Sequence, residues 1–178
     1  CRKANIKPRC VVIVATIRAL KMHGGITKED LKKENIEALK KGLPNLERHI
    51  QNIKKFGLKV TVAINHFITD NDKEVKVIEE YCSKLGIKAN LCKHWEKGSE
   101  GIKDLANNVV EICDKSEKNG FKFLYSSDTS LMKKIEAIAK EIYAAGEVVA
   151  DEKIKMQLKK MESDGFGKLP ICIAKTQY

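Results

Sequence analysis

Two stretches of the 178-residue sequence carry an aromatic residue in a setting that suits the binding of a flat ring. Phe67 lies two residues past the end of a largely apolar run at Asn65, and Trp95, the single tryptophan, lies among His, Glu, Lys and Gly residues. Phenyl and indole rings stack on planar heterocycles, so the pair could form a two-sided clamp. From residue types alone, a Phe at a strand end more often covers the core, and that interpretation of Phe67 stays open beside the clamp.

A third stretch, residues 18–25, reads RALKMHGG and follows another apolar run. Two cations, an imidazole and a diglycine suit the binding of an anion. The candidate anion or nucleotide contacts are Lys21, His23, Gly24 and Gly25. A surface turn with incidental charges fits the same composition equally well.

Catalytic and metal-binding patterns are weak in this sequence. His94 and Glu96 have acid–base side chains, although such residues are more often exposed polar groups of a loop, and His66 is weighed in the same way. No His pair has metal-ligand spacing and none of the six cysteines forms a CxxC pair, so no metal site is predicted. The sequence contains no GxxxxGK(S/T), GxGxxG or GxSxG motif, so no catalytic residue is assigned.

Alternating strand-like and helix-like patterns predict an α/β fold with a mainly parallel sheet and flanking helices. Apolar runs predict strands at 10–17 (buried on both faces), 58–65, 87–91, 121–125 and 169–174. Helical spacing predicts helices at 72–85, 102–118, 131–144 and 152–162, and a helix within 35–56 that Gly42 and Pro44 interrupt. Ligands of such sheets bind beyond the carboxyl ends of strands, which selects the predicted loops 18–25, 66–72 and 92–101.

The net charge of +10 leaves a second function class open, a basic nucleic-acid-binding α/β domain. Lys and Glu alternate along the helical segments, as in residues 28–34 (KEDLKKE), which favours a solvated surface instead. A structural protein without a ligand is a third class. No apolar run is long enough for a membrane span, no signal peptide is recognised, and most cysteines lie in apolar stretches typical of buried thiols in a reducing cytoplasm.

Five segments of the sequence resemble formate–tetrahydrofolate ligases. Residues 14–25 (VATIRALKMHGG) are similar to their VATxRALKxHGG segment, and residues 62–70 (VAINHFITD) to their VAINxFxTD stretch. Residues 95–101 (WEKGSEG) resemble their WxxGxxG loop, residues 121–125 (FKFLY) their FxFLY strand, and residues 165–178 their GFxxLPxCxAKTQY run. The segments occur in the family's order along the whole chain.

The resemblance implies part of a multidomain enzyme related to P-loop NTPases. Residues 1–56 would end its nucleotide-binding domain, and residues 57–178 would form an incomplete folate-clamping α/β domain. The family joins formate to tetrahydrofolate at the expense of ATP, through formyl phosphate, and releases 10-formyltetrahydrofolate, ADP and phosphate. The chain is expected to be an internal piece without turnover of its own, because the family's phosphate loop and its formyl phosphate arginine lie upstream.

The resemblance also implies substrate contacts. Family members clamp a pterin or an adenine between a Phe and a Trp, here Phe67 and Trp95, with Leu91 lining the pocket and Thr69 and Asp70 in the matching stretch. It further implies magnesium, a potassium or ammonium activator, a cytoplasmic homotetramer, and no covalently bound cofactor. The sequence departs from the family pattern in three places, which are expected to tune the pocket: His66, Ile68 and the Gly98-Ser99 pair.

Overall fold

The computed structural model describes residues 4–116 and 120–174, which form two compact units divided between Phe121 and Lys122. The strands of the first unit are β1 (Cys10–Ala15), β2 (Lys59–Asn65) and β3 (Ala89–Cys92). Its α-helices are α1 (Ile17–His23), α2 (Ile36–Lys55), α3 (Asp72–Lys84), α4 (His94–Lys97) and α5 (Lys103–Lys115), with 3-10 turns at Lys28–Asp30 and Gly98–Ile102. The predicted domain boundary at Phe56-Gly57 lies within this unit and stays a prediction about a longer protein.

The three strands form one parallel sheet in the order β1-β2-β3. In its register, Ile13 lies opposite Val62, and Val62 lies opposite Ala89. Helices separate consecutive strands, as parallel connections require. The predicted α/β fold with a parallel sheet is confirmed.

One face of the sheet packs against α2 and α3 and forms the hydrophobic core. The buried side chains recur on one face of each element, since strands alternate and helices repeat every three to four residues. The core includes Ile17, Leu39, Leu43, Leu46, Ile50, Val60, Val62, Ile64, Val75, Ile78 and Cys82.

The other face of the sheet is only partly covered. Helix α5 packs there through Asn108, which accepts a hydrogen bond from Thr61 Oγ1 at 2.7 Å. Val12 and Val14 of β1 lie on the same face and remain 37 % and 65 % exposed. The prediction that β1 is buried on both faces is therefore wrong for the described residues, because no described element covers Val12 and Val14.

Residues 18–23 were predicted as a loop, and the structure corrects this to helix α1. Thr16 caps the helix, its side chain accepting a hydrogen bond from the N–H of Ala19, and the helix ends at Gly24. Ile17 and Leu20 are buried on the core side, so apolar burial and the cap outweigh the loop character of the diglycine.

Helix α2 runs without interruption through Gly42 and Pro44, which corrects the predicted break. Proline fits the helical φ but cannot donate to the carbonyl of Lys40, and its ring crowds that carbonyl, which usually kinks a helix. Lys40 and Pro44 are both exposed, so water can hydrate that carbonyl. The continuous row of buried leucines on the opposite side of α2 keeps the helix intact.

Glycines allow α1 and α2 to approach each other closely. A Cβ on Gly42 would lie 1.9 Å from the carbonyl oxygen of Leu20, and a Cβ on Gly24 would lie 1.8 Å from the carbonyl oxygen of Ala38. Real Cβ atoms do not come so close to backbone, so each helix uses a glycine where it meets the backbone of the other. The interruption inferred at Gly42 is thus a packing contact.

We expect Gly42→Ala to destabilise the chain although alanine favours helices by about 1 kcal/mol over glycine. The added methyl must push α1 away from α2, and overpacking of this kind costs about 1–3 kcal/mol. Chemical denaturation of the 178-residue chain measures the loss. Lys41→Ala at the neighbouring exposed position is the control and should change little; a stability gain in Gly42→Ala would contradict the close approach.

The second unit contains α6 (Leu131–Glu141), α7 (Glu152–Met161) and a π-helical turn at Glu162–Phe166. A side chain caps the start of each helix. Ser130 caps α6, as predicted, and Asp151 caps α7. Throughout the part of the chain that the structure describes, no helix is long and apolar enough to cross a membrane.

The strands predicted at 121–125 and 169–174 are not formed. A strand needs a neighbour that takes up its backbone groups. In and next to the second segment, side chains take up backbone groups instead: the N–H of Ile171 donates to the Tyr125 hydroxyl at 3.0 Å, and the buried Lys134 ammonium donates to the carbonyls of Gly167 and Leu169 at 2.6 and 3.1 Å. Residues 175–178 lie outside the described residues.

The cysteines of the described residues are free thiols. Cys82 and Cys92 are buried, as predicted for small apolar thiols, whereas Cys172 is exposed. Burial raises the pKa of Cys82 to about 11. The thiolate is the reactive form, so burial and a high pKa both protect this residue.

In the native chain we expect N-ethylmaleimide at pH 7.5 to modify Cys172 before Cys82 and Cys92. Cys82 and Cys92 should react only after denaturant is added, which peptide mass spectrometry can follow site by site. Equal rates at Cys82 and Cys172 without denaturant would contradict the burial of α3 against the sheet.

Candidate functional site

The carboxyl ends of the three strands meet at one edge of the sheet, because the strands are parallel and in register. Ala15 lies opposite Ile64, and Asn65 opposite Cys92. The segments that follow are α1, the turn 66–70 and α4. The sequence-predicted aromatic residues therefore come from neighbouring strand ends, the place where parallel sheets bind ligands.

The turn after β2 is closed by its own hydrogen bonds. The N–H of Phe67 donates to Asp70 Oδ2, and the N–H of Asp70 donates to the carbonyl of Phe67, both at 2.9 Å. Asn71 then caps α3, accepting from the N–H of Glu74. The Asp70 carboxylate thus holds the backbone of Phe67 in place.

Trp95 is anchored to the end of β2. It lies in the short helix α4, and its Nε1–H donates to the carbonyl of His66 at 2.9 Å, while the N–H of His66 donates to the carbonyl of Cys92 at 3.1 Å. The indole is 53 % exposed. An exposed ring fixed by its polar edge keeps surface available for stacking.

The fold of the tryptophan segment depends on Gly101. The N–H of Lys93 donates to the carbonyl of Gly101 at 2.9 Å. A Cβ on Gly101 would lie 2.5 Å from the backbone of Lys93. The predicted loop 92–101 is therefore a compact helical segment, which corrects the loop assignment and explains how the indole is held.

Arg18, in the first turn of α1, contacts the turn that follows β2. It was not among the predicted site residues. Its guanidinium carbon lies 4.2 Å from the centroid of the Phe67 ring, and its Nη2 donates to Thr69 Oγ1 at 2.9 Å. No local sequence signal indicates this contact, because the partners are about 50 residues apart along the chain. The Arg18 guanidinium of α1 thus contacts both Phe67 and Thr69 of the turn after β2.

Leu91 occupies the penultimate position of β3, opposite Ile64. Its half-buried side chain packs against the hydrophobic core. Leu91 therefore lies at the same sheet edge as the aromatic residues, and its role as a pocket-lining residue stays a prediction.

Lys21 has a different role from the predicted anion contact. Its ammonium lies 3.0 Å from Glu74 Oε1 and donates to the carbonyl of Lys33 at 2.9 Å, and both charged side chains are 1 % exposed. The same Glu74 oxygen accepts from the N–H of Asn35 at 3.0 Å. A buried cation that is engaged on both sides is not available to a ligand, so the expectation for Lys21 is corrected.

The other candidate anion contacts, His23, Gly24 and Gly25, differ in their exposure. Gly24 packs against the backbone of Ala38, whereas His23 and Gly25 are exposed. At about 1.5 Å per helical residue, Gly24 lies on the order of 9 Å along α1 from Arg18. Anion or nucleotide binding at the glycine end of the segment stays a prediction for His23, Gly24 and Gly25.

We expect Lys21→Met to destabilise the chain by about 3–5 kcal/mol, because Glu74 would remain buried without its cation. Replacing both charges, as in Lys21→Met with Glu74→Leu, should recover a large part of the loss. Urea denaturation is the measurement. Lys40→Met, which removes only an exposed pair with Glu37, should cost little. Equal effects of the two single changes would contradict the buried pair.

A cavity of about 590 Å³ in the first unit lies at the opposite, amino-terminal ends of β2 and β3. Residues Lys54, Lys59, Lys88 and Asn108 contribute to its lining, and none of the predicted site residues does. The carboxyl edge is the better candidate site, because it gathers oriented aromatic and cationic groups.

Several lysines on the helices pair with carboxylates of the same helix. Exposed pairs three or four residues apart join Lys40 to Glu37, Lys115 to Glu111 and Lys155 to Glu152. This mixed pattern is typical of solvated helix faces and does not favour a nucleic-acid surface.

Comparison with known proteins gives a consistent result. The family model described as formate–tetrahydrofolate ligase matches residues 1–178. The chain is 65 % identical over 178 residues to a formate–tetrahydrofolate ligase of Pelagibacter ubique (strain HTCC1062), covering 100 % of the chain and 32 % of that relative. Identity is 56 % to the enzyme so named from Sinorhizobium medicae (strain WSM419), again over 100 % of the chain and 31 % of the relative. The chain thus spans about a third of the length of the relatives it matches.

Proposed function

The chain belongs to the formate–tetrahydrofolate ligase family, and we propose that it supplies the ring-binding site of an enzyme that joins formate to tetrahydrofolate. In this proposal ATP phosphorylates formate, and the folate amine attacks the formyl carbon of formyl phosphate. Phosphate leaves, and 10-formyltetrahydrofolate and ADP are the other products.

The observation that carries the proposal is the placement of Phe67 and Trp95 at one edge of the sheet. Trp95 is tied to the carbonyl of His66, the residue before Phe67, so the two aromatic segments are held against each other. We propose that a flat ring stacks on both side chains, with Leu91, Thr69 and Asp70 around it. The pterin of the folate and the adenine of the nucleotide both have the required shape.

In this proposal, the chain itself binds and orients the flat ring of the ligand. Its sequence has no GxxxxGK(S/T) loop, so phosphoryl transfer is proposed for other parts of the enzyme. Within the described residues no group of three or more His, Cys, Asp or Glu could hold a metal ion. No step through the proposed magnesium and potassium or ammonium ions is assigned to this chain. A cytoplasmic homotetramer completes the proposal.

The experiment is a titration of the 178-residue chain with tetrahydrofolate and, separately, with ADP. Trp95 is the single tryptophan, so its fluorescence reports on the site directly. Quenching by only one of the two ligands decides between pterin and adenine, whereas quenching by both with mutual competition means that the site accepts either ring. No response to either ligand at millimolar concentration would refute ring binding by this chain.

We expect Trp95→Ala to weaken ligand binding by about 1–3 kcal/mol, roughly 5- to 150-fold, the range for one ring-on-base stack. Trp95→Phe keeps a ring and loses the bond to His66, so an intermediate loss is expected. Calorimetry measures both variants. Tyr143, also 53 % exposed and part of the second unit, provides the control Tyr143→Ala. Equal affinities of Trp95→Ala and wild type would refute the clamp.

A further inference from the structure

We propose that Arg18 is a positioning residue of the aromatic site, which fixes the plane of the Phe67 ring and thereby sets the affinity for the stacked substrate. The inference rests on the proposed function, and it adds a residue that the sequence motifs did not assign. Arg18 acts through Phe67 and is not itself required to touch the ligand.

The guanidinium contacts the turn at two points. Its carbon lies 4.2 Å from the Phe67 centroid, within the range of a cation–π contact, while Nη2 donates to Thr69 Oγ1 at 2.9 Å. The backbone of the turn is already closed between Phe67 and Asp70. The ring torsions of Phe67 are the freedom that remains, and the planar cation restricts them.

Arginine suits this position better than lysine. A guanidinium can lie flat over a ring and donate in its own plane at the same time, whereas an ammonium is a point charge on a flexible stem. Arg18 lies in the first turn of α1, which Thr16 caps and whose Ile17 is buried, so the side chain leaves a rigid base. Its buried Nε–H has no partner among the described residues. Arg18→Met therefore removes an unsatisfied donor and should fold.

The geometry also predicts which side of Phe67 the substrate uses. The guanidinium covers one face of the ring, so a ligand that stacks on Phe67 uses the opposite face and Arg18 supports the ring from behind. If Arg18 instead occupied the ligand's place, its removal would strengthen binding. The sign of the affinity change separates the two arrangements.

The test is a double-mutant cycle in the 178-residue chain, with tetrahydrofolate affinity measured by calorimetry. Arg18→Met is expected to weaken binding roughly three- to tenfold, the effect of losing a half-buried cation–π contact. In a Phe67→Ala background, the same change should have no further effect, since the ring through which Arg18 acts is gone. Arg18→Lys should restore part of the affinity, and Arg48→Met on the exposed side of α2 should leave it unchanged.

Tighter binding by Arg18→Met, or losses that add in the double variant, would overturn the proposal. A second readout needs no ligand: the ring current of Phe67 should shift the Arg18 Hδ protons upfield in NMR spectra, and Phe67→Leu should abolish that shift. If wild type bound no tetrahydrofolate, the proposed function would fail while this shift could still be present. Identical Arg18 Hδ shifts in wild type and Phe67→Leu would refute the contact itself.

Discussion

The buried ion pair between Lys21 and Glu74 is the interaction on which the arrangement of this unit depends. Glu74 receives Lys21 from α1 and the N–H of Asn35 at the start of α2, and it belongs to the first turn of α3. The Glu74 carboxylate thus connects helices α1, α2 and α3 beneath the carboxyl edge of the sheet. A buried charge pair is not a strong source of net stability, but removing one partner is costly, so this pair specifies the packing.

This constraint explains why the segment from Arg18 to Gly25 has two functions. Lys21 faces the interior, and Gly24 meets the backbone of α2, so both are committed to fixing α1. Arg18, one turn earlier, is left to reach across to the turn after β2. In the proposed aromatic site, this segment therefore serves mainly as support, although its composition resembles an anion-binding loop.

The elements that could be predicted from sequence are those with strong local patterns. The strand of residues 59–65 and the helix Asp72–Lys84 follow from periodicity and caps, and the shared edge of Phe67 and Trp95 follows from parallel topology. The Lys21–Glu74 pair joins residues 53 positions apart and leaves no local trace. Residues 121–125 and 169–174 look like strands, but strand formation needs a partner that local sequence cannot supply. Helix α1 was missed because the diglycine after it indicated a loop, whereas Gly24 caps the helix and packs against the backbone of α2.

The two aromatic side chains are held by different means, and this difference bears on how the site would bind. Trp95 is fixed through its own polar edge, by a hydrogen bond to backbone, so its orientation does not depend on another side chain. The Phe67 side chain has no polar atom, and the Arg18 guanidinium lies over one face of its ring. A ring that is already oriented loses less conformational entropy when a ligand stacks on it, so more of the stacking energy appears as affinity. Helix α1, which carries Arg18, is held in place by the ion pair of Lys21. The buried ion pair and the exposed rings are therefore connected through α1.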